Sequence, residues 1–154
     1  MKLFLVIGCA ALALGTTGAF AEEQMFELPK PSDTKWQPAP PVFPKGAEFV
    51  LLSGSMEKGP WVIRLKWPAG YVLPAHVHKN IENVTVIDGD ISIGMGNKTR
   101  DKTHLTTLVT GGYLMMPPDM PHSGWTDNGV VIQVHSDTPA GIVYLNANED
   151  PSKK

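Results

Sequence analysis

The sequence contains a single cysteine, Cys9, among 154 residues. This cysteine lies in an apolar N-terminal run that ends at Ala19-Phe20-Ala21, the small-x-small pattern of a secretory signal peptide. Cleavage after Ala21 would leave a mature protein with no thiol ligand, no thiol nucleophile and no disulfide. We therefore expect residues 1–21 to be a signal peptide and the protein to be periplasmic or secreted.

Charge is also sparse, and no part of the chain is strongly basic. Charged residues make up 18% of the sequence, and the formal net charge is −2. Proteins that bind nucleic acids or anionic membranes present clustered Lys and Arg, so we expect neither as a partner. The apolar N-terminal run is too short to span a bilayer and is broken by Gly15 and Gly18. We expect no membrane association once the signal peptide is removed.

Helical patterning is absent from the rest of the chain. No stretch repeats apolar residues with a 3.6-residue period over three turns. Six prolines lie between residues 29 and 44, and proline excludes both helix and interior strand. These features predict an extended, Pro-rich N-terminal arm over residues 22–46 that lies across the domain, with Trp36 and Phe43 as apolar anchors. A free linker is the alternative.

Short runs rich in β-branched and aromatic residues begin at residue 48, and each is bounded by turn residues such as Asp-Gly or Gly-Gly. Many short strands in one small domain favour a β-sandwich or a β-barrel. We therefore predict an all-β domain over residues 47–148, followed by a short C-terminal tail at 149–154. The predicted strands are residues 48–53, 61–67, 82–88, 90–95, 103–109, 113–116, 122–126, 130–135 and 141–145.

Three potential metal ligands, His76, His78 and Glu82, interrupt the β-like stretch from residue 70 to residue 89. A two-residue spacing places both imidazoles on the same face of a strand. Helical zinc sites use a four-residue spacing instead. The short excursion between His78 and Glu82 allows the chain to bring the carboxylate back towards the imidazoles. These residues predict a metal site, with hydrogen-bonded core histidines as the alternative.

The spacing around these ligands matches a known motif. The order is Gly70, five residues, His76-x-His78, three residues, Glu82, six residues and Gly89. This stretch resembles the first cupin motif, with every spacing intact.

A second stretch, GGYLMMPPDMPH, ends in a further histidine, His122. It resembles the second cupin motif, with the order Gly111, five residues, Pro117, one residue, Asp119, two residues and His122. Asp119 stands where the family usually has glycine, and Thr126 stands where asparagine is common. Aspartate tolerates a left-handed backbone better than most residues do. We expect both departures to leave the metal site intact.

The resemblance implies a small single-domain cupin of the quercetin dioxygenase-like type (cupin type-2), folded as a double-stranded β-helix, or jelly-roll barrel. It also implies one divalent metal held in the barrel mouth by His76, His78, Glu82 and His122. Three imidazoles and a carboxylate suit Mn, Fe, Ni, Cu or Zn, and the ligand set does not choose among them. Four protein ligands leave one or two positions open for water, substrate or dioxygen. A structural ion is the alternative to such a working site.

Four further residues are candidates for binding a substrate: Met95, Met116, Gln133 and His135. The two methionines are expected to point inward, where they could line a cavity or simply fill the core. In the strand 130–135, Gln133 and His135 share one face and alternate with valine and isoleucine. These two polar residues either line the cavity behind the metal or lie on a solvated outer face.

Three functions are consistent with the resemblance. The first is a metal-dependent oxygenase acting on a small organic substrate, with Glu82 as both ligand and general base. The second is a non-redox lyase or isomerase in which the metal polarises a carbonyl. The third is a module that binds or senses a small ligand without turnover. The resemblance also favours a homodimer formed through sheet edges or the N-terminal arm, which would bury Trp36 and Phe43.

Overall fold

The computed structural model describes residues 34–154, so the expected signal peptide and the first part of the arm lie outside the described residues. The described chain is almost entirely β-structure, with short 3-10 turns at Ala147–Glu149 and Pro151–Lys153. Within this part of the chain, no helix is long and apolar enough to cross a membrane. The strands are β1 (Gln37–Pro38), β2 (Glu48–Gly54), β3 (Trp61–Trp67), β4 (Val72–Val77), β5 (Glu82–Met95), β6 (Leu105–Val109), β7 (Tyr113–Met116), β8 (His122–Trp125), β9 (Val130–Ser136) and β10 (Val143–Tyr144).

The strands form two antiparallel sheets that share one long strand. In the first sheet, β1, β2, β3 and β9 lie side by side, and the first half of β5 pairs with both β9 and β7. In the second sheet, the later half of β5 pairs with both β6 and β8, and β8 continues through β4 to β10. This arrangement is a jelly-roll barrel, so the predicted all-β fold is confirmed.

The predicted break between strands 82–88 and 90–95, at the Asp88-Gly89 turn signal, is wrong. The two predicted strands that flank it are one continuous strand, β5, of 14 residues. Its two halves pair with different strands, so the chain bends at a β-bulge between Val86 and Asp88 instead of reversing. Gly89 has a φ of +81°, and an added Cβ would lie 2.3 Å from the carbonyl oxygen of Gly129. Only glycine fits this bend, where the chain crosses from one sheet to the other.

A second bulge, in β4, directs one of the site histidines into the barrel. Leu73 pairs with Gly124 and His76 pairs with His122, so β4 contains one more residue than β8 between these pairs. Pro74 lies in this bulge, where the missing N–H of proline is tolerated. The extra residue lets both Leu73 and His76 face the same interior cavity despite their odd spacing.

The opposite wall of the barrel is apolar. The side chains of β3 and β9 alternate between buried and more exposed, as the two-residue period of a strand requires. The buried residues of these strands are Trp61, Ile63, Leu65 and Trp67 in β3, and Val130, Ile132, Val134 and Ser136 in β9. None of these inward-facing side chains is titratable, and the buried His76 and His122 come from β4 and β8.

The N-terminal arm lies against the barrel from residue 34 onward, where β1 pairs with the edge strand β2. Two tyrosine hydroxyls hold the arm in place. Tyr144 donates to the carbonyl oxygen of Val42 at 2.6 Å, and Tyr71 donates to that of Pro44 at 3.0 Å. Phe43, between these two points, packs against the hydrophobic core. The arm thereby forms part of the wall at one end of the barrel.

Candidate metal centre

Three imidazoles meet inside the barrel. His76 belongs to β4, His122 begins β8 directly opposite it, and His78 follows the end of β4. One ligand nitrogen from each of the three lies within 4.8 Å of the others. His76 and His122 are buried, and the side chain of His78 is 11% exposed. These three histidines could therefore hold one metal ion.

Each imidazole is oriented by a hydrogen bond from Nδ1 to a backbone carbonyl. The acceptors are Pro74 for His76 at 2.6 Å, Gly141 for His78 at 2.7 Å and Met120 for His122 at 2.9 Å. A carbonyl oxygen can only accept, so Nδ1 carries the hydrogen in each ring, and in the neutral ring Nε2 keeps its lone pair. Such carbonyl partners are the usual means of orienting metal-binding histidines.

The spacing of the bare nitrogens fits a shared ion. Nε2 of His76 lies 3.0 Å from Nε2 of His78. Two lone pairs at this distance repel each other unless a cation lies between them. Two nitrogens bound at right angles to one ion, each at about 2.1 Å from it, would lie about 3.0 Å apart.

Burial keeps His76 and His122 in the neutral form. Desolvation, together with the neighbouring rings of His122 and His78, holds the pKa of His76 well below its usual range. Burial also lowers the pKa of His122 to about 4, although its hydrogen bond to Met120 acts in the opposite direction. Neutral imidazole is the form that binds metals. The folded protein therefore presents these ligands ready for binding at neutral pH.

Glu82 lies at the edge of the imidazole cluster. It is the first residue of β5, and its Oε2 is 3.3 Å from Nε2 of His78. Burial raises the pKa of its carboxyl group, and His78 partly offsets this effect. A bound cation would stabilise the carboxylate, which would supply one negative charge to a divalent ion. The structure thus places Glu82 beside His78, whereas the group of ligand atoms within 4.8 Å of one another contains the three histidines alone.

The lowered pKa values predict that the metal-free protein loses stability in mild acid. The unfolded chain binds a proton at His122 below about pH 6.5, whereas the folded chain does so only below about pH 4. The full contribution is present above pH 6.5 and is lost as the pH falls through this window, by up to about 3 kcal/mol for His122. We expect the melting temperature of chelator-treated protein to fall between about pH 7 and pH 5.

His122→Asn should flatten this fall, because it removes the group that charges in the unfolded chain. Glu82 acts with the opposite sign, since its raised pKa lets the folded chain take up a proton more readily than the unfolded chain. His104→Asn, at an exposed position, is the matched control and should keep the parent profile. An equally steep fall in His122→Asn would contradict the prediction.

A cavity of about 410 Å³ adjoins the imidazole cluster. The three histidines and Glu82 line it, and most of the remaining wall is aliphatic or aromatic. These apolar residues come from both sheets, from the arm and from the loops after β2 and β9, and they include Phe43, Met56, Ile132 and Ile142. An apolar cavity with a few convergent polar groups is typical of a small-molecule site.

Of the four predicted substrate-binding residues, Met116 lines this cavity. Met95 packs against the core but does not line the cavity. Gln133 and His135 lie on the outer face of β9, because they alternate with inward residues such as Ile132. Met95, Gln133 and His135 thus follow the alternatives stated for them, namely core packing for Met95 and an outer face for the two polar residues.

The cavity wall also contains residues that the sequence patterns did not single out, among them Trp61, Trp67 and Asn80. The alternation of β3, WVIRLKW, contains the signal for the two tryptophans, because both share the inward face with the aliphatic residues between them. No comparable pattern marks Asn80, which lies in the loop between His78 and Glu82.

Both departures from the second motif keep the local geometry. Asp119 adopts a φ of 59°, the left-handed conformation expected at a position where glycine is usual. Its backbone N–H donates to the carbonyl oxygen of His78 at 2.7 Å, which links the loop before β8 to the end of the first motif. Thr126 accepts a hydrogen bond at Oγ1 from the N–H of Gly129 at 2.9 Å.

A jelly-roll barrel that gathers histidines beside an internal cavity is the architecture of a cupin. The family described as the ChrR cupin-like domain matches residues 25–138, and the chain belongs to this family. The resemblance to the cupin superfamily seen in the two motifs is thereby confirmed. No curated protein matches the chain by sequence.

Solved structures share the fold at low sequence identity. The polyketide cyclase RemF from Streptomyces resistomycificus is 15% identical, with a TM-score of 0.66 over 84% of this chain and 92% of that one. An RmlC-like cupin from Shewanella frigidimarina is 16% identical, with a TM-score of 0.55 over 75% and 94%. Salicylate 1,2-dioxygenase from Pseudoaminobacter salicylatoxidans is 16% identical, with a TM-score of 0.50 over 60% and 25%. At these identities the likeness shows the fold alone.

Proposed function

We propose that the protein is an exported, metal-dependent oxygenase that acts on a small, largely apolar organic substrate. The observation that carries the proposal is the convergence of three imidazoles at the wall of an apolar cavity, with the Glu82 carboxylate 3.3 Å from one of them. A purely structural ion needs no adjoining cavity, so the cavity of about 410 Å³ favours a working site. The shared fold with a salicylate dioxygenase is consistent with oxygen chemistry on such a barrel.

The residues of the chain would divide binding and proton transfer between them. A divalent metal at this site would bind a substrate oxygen and lower the pKa of its proton. Glu82 lies beside His78, and the carboxylate oxygen that does not bind the metal would accept that proton. Apolar wall residues such as Phe43 and Ile142 would hold the rest of the substrate and exclude water.

Dioxygen uptake separates the oxygenase from its alternatives. Samples loaded separately with Mn, Fe, Ni, Cu or Zn would be incubated with a panel of flavonols and other apolar enols. We expect dioxygen to be consumed in step with substrate loss for at least one metal, and not to be consumed by His122→Ala. Product formed without dioxygen uptake would show a non-redox enzyme, and binding without product would show a ligand-binding module.

A non-redox reaction is the second candidate. The polyketide cyclase RemF shares the fold over 92% of its own length, whereas the salicylate dioxygenase shares it over 25% of its length. Ring closure needs an electrophilic centre and a base but no oxidant. The metal site and Glu82 could supply these two functions, so the same residues would serve a lyase, an isomerase or a cyclase.

We also propose that the protein is exported and forms a homodimer. The apolar run that ends at Ala21 supports export, and mass spectrometry of the exported protein should find a chain that begins at Glu22. Retention of Met1 would contradict this.

Tyr113 and Met115 are 56% and 48% exposed on β7, which supports the proposed homodimer. Sedimentation that shows only monomer at micromolar concentration would contradict the dimer.

A further inference from the structure

Part of the cavity wall lies outside the two sheets. Three segments contribute lining residues there, and we call them together the cover: residues 40–43 of the arm, residues 56–57 after β2 and residues 140–142 after β9. Ala140 donates its backbone N–H to the carbonyl oxygen of Met56 at 2.7 Å, and Nδ1 of His78 donates to that of Gly141 at 2.7 Å. The cover is thereby joined to the imidazole cluster.

The arm brings its part of the cover close to this cluster. Tyr144 spans the gap between them, because its ring centroid is 5.9 Å from that of His76 and its hydroxyl donates to the carbonyl oxygen of Val42 at 2.6 Å. One tyrosine side chain therefore separates His76 from the arm. Phe43, the next residue of the arm, lines the same cavity as His76. A ligand that binds at the cluster and extends along the cavity would therefore meet Phe43.

Phe43 is held differently from the tryptophans of the cavity wall. Trp61 and Trp67 belong to β3, which is paired with β2 on one side and with β9 on the other. Phe43 lies outside the strands, and its N–H donates to the carbonyl oxygen of Pro40 within the arm at 2.9 Å. Its side chain is the largest apolar one of the cover. Its replacement should therefore change the size of the cavity without removing hydrogen bonds between strands.

We propose that Phe43 is a specificity-determining residue that limits the length of the apolar ligand in this cavity. The inference rests on the proposed function only in taking this cavity as the substrate site. Each methylene of a ligand that becomes buried against the apolar wall raises the affinity about fourfold. Once the ligand reaches Phe43, a further methylene either displaces the packed ring or stays in water. The gain in affinity therefore ends at that length.

A series of primary alcohols from hexanol to dodecanol tests the proposal by isothermal titration calorimetry. Zinc-loaded protein is used, because zinc has no redox chemistry and the alcohols are not oxidised. The hydroxyl is common to the series, so differences in affinity report the chain alone. We expect binding to tighten about fourfold per methylene up to a limiting length and not beyond it. A rise that continues to dodecanol, or the failure of every alcohol to bind, would overturn the proposal.

Phe43→Ala should move the limiting length to a longer alcohol. The first alcohol beyond the parent limit should bind to this variant about fourfold or more tightly than to the parent. Phe49→Ala is the matched control, since Phe49 packs against the same core but does not line the cavity, and it should keep the parent limit. An unmoved limit in Phe43→Ala, or an equal shift in Phe49→Ala, would refute the role of Phe43. If Phe43→Ala does not fold, Phe43→Leu decides by the same criterion.

The limiting length and dioxygen uptake are separate readouts. A limit that moves in Phe43→Ala supports the role of Phe43 even where no dioxygen is consumed, and only the oxygenase proposal then fails. Dioxygen uptake together with an unmoved limit gives the reverse result, in which the oxygenase stands and the role of Phe43 is refuted.

Discussion

Replacing His122 by alanine is expected to abolish stable metal binding. The imidazole is buried, and its ligand nitrogen lies in one cluster with those of His76 and His78. Loss of an outer partner of a ligand typically weakens metal binding about 10–100-fold, so loss of the ligand itself should weaken it by about 100-fold or more. Metal analysis of the purified variant should therefore find less than about a tenth of the parent content.

The same variant should also lose the stabilisation that metal binding gives to the folded state. A metal present at about 100 times its Kd contributes about 2.7 kcal/mol, or roughly 10 °C in melting temperature for a domain of this size. Chelator should lower the melting temperature of the parent and leave that of His122→Ala unchanged. His104→Ala and His135→Ala, one exposed and one on the outer face of β9, should retain the metal. Equal metal loss in either control would show that the ligand set is wrong.

Replacing Glu82 by glutamine is expected to reduce turnover much more than metal content. The amide keeps the size and one oxygen of the side chain but removes both the negative charge and the base. Because three histidines remain, metal added in excess should still load the site. A general base contributes about 10²–10⁴-fold to rate, so kcat should fall by about that factor in fully loaded protein.

Glu57→Gln provides the control for this variant. Glu57 is a second carboxylate that lines the cavity, but it is exposed. Its replacement should leave both kcat and metal content near the parent values. A fall in kcat that merely follows the loss of metal in Glu82→Gln would show that Glu82 is a ligand without a role as a base.

The sequence was sufficient to predict the fold because its signals are local. Short runs of alternating apolar and polar residues predict strands β3 and β9, and the first motif places His76 and His78 at strand spacing. The error at Asp88-Gly89 has a non-local cause. An Asp-Gly pair suits both a tight hairpin and a bent strand, and the choice depends on which strands pair with each side. Here the first half of β5 pairs with β9 and β7, whereas its later half pairs with β6 and β8.

The site was predictable only in part, for a similar reason. The spacing of His76 and His78 suggested a shared face, but the carbonyl groups that orient their Nδ1 atoms belong to Pro74 and to the distant Gly141. The sequence left two alternatives for Gln133, the cavity wall and the solvated outer face. In the structure the more apolar face of β9 lies inward, so Gln133 lies on the outer face. Asn80, which also lines the cavity, has no sequence signal, because it lies in the loop between His78 and Glu82.

Anomalous X-ray diffraction from metal-loaded crystals tests the central claim most directly, namely that three histidines and one glutamate share one ion. We predict one strong anomalous peak per chain, about 2.0–2.2 Å from Nε2 of His76, His78 and His122 and from a carboxylate oxygen of Glu82. A peak at another position, such as the exposed His104, or no peak after loading with Mn, Fe, Ni, Cu and Zn in turn, would contradict the claim.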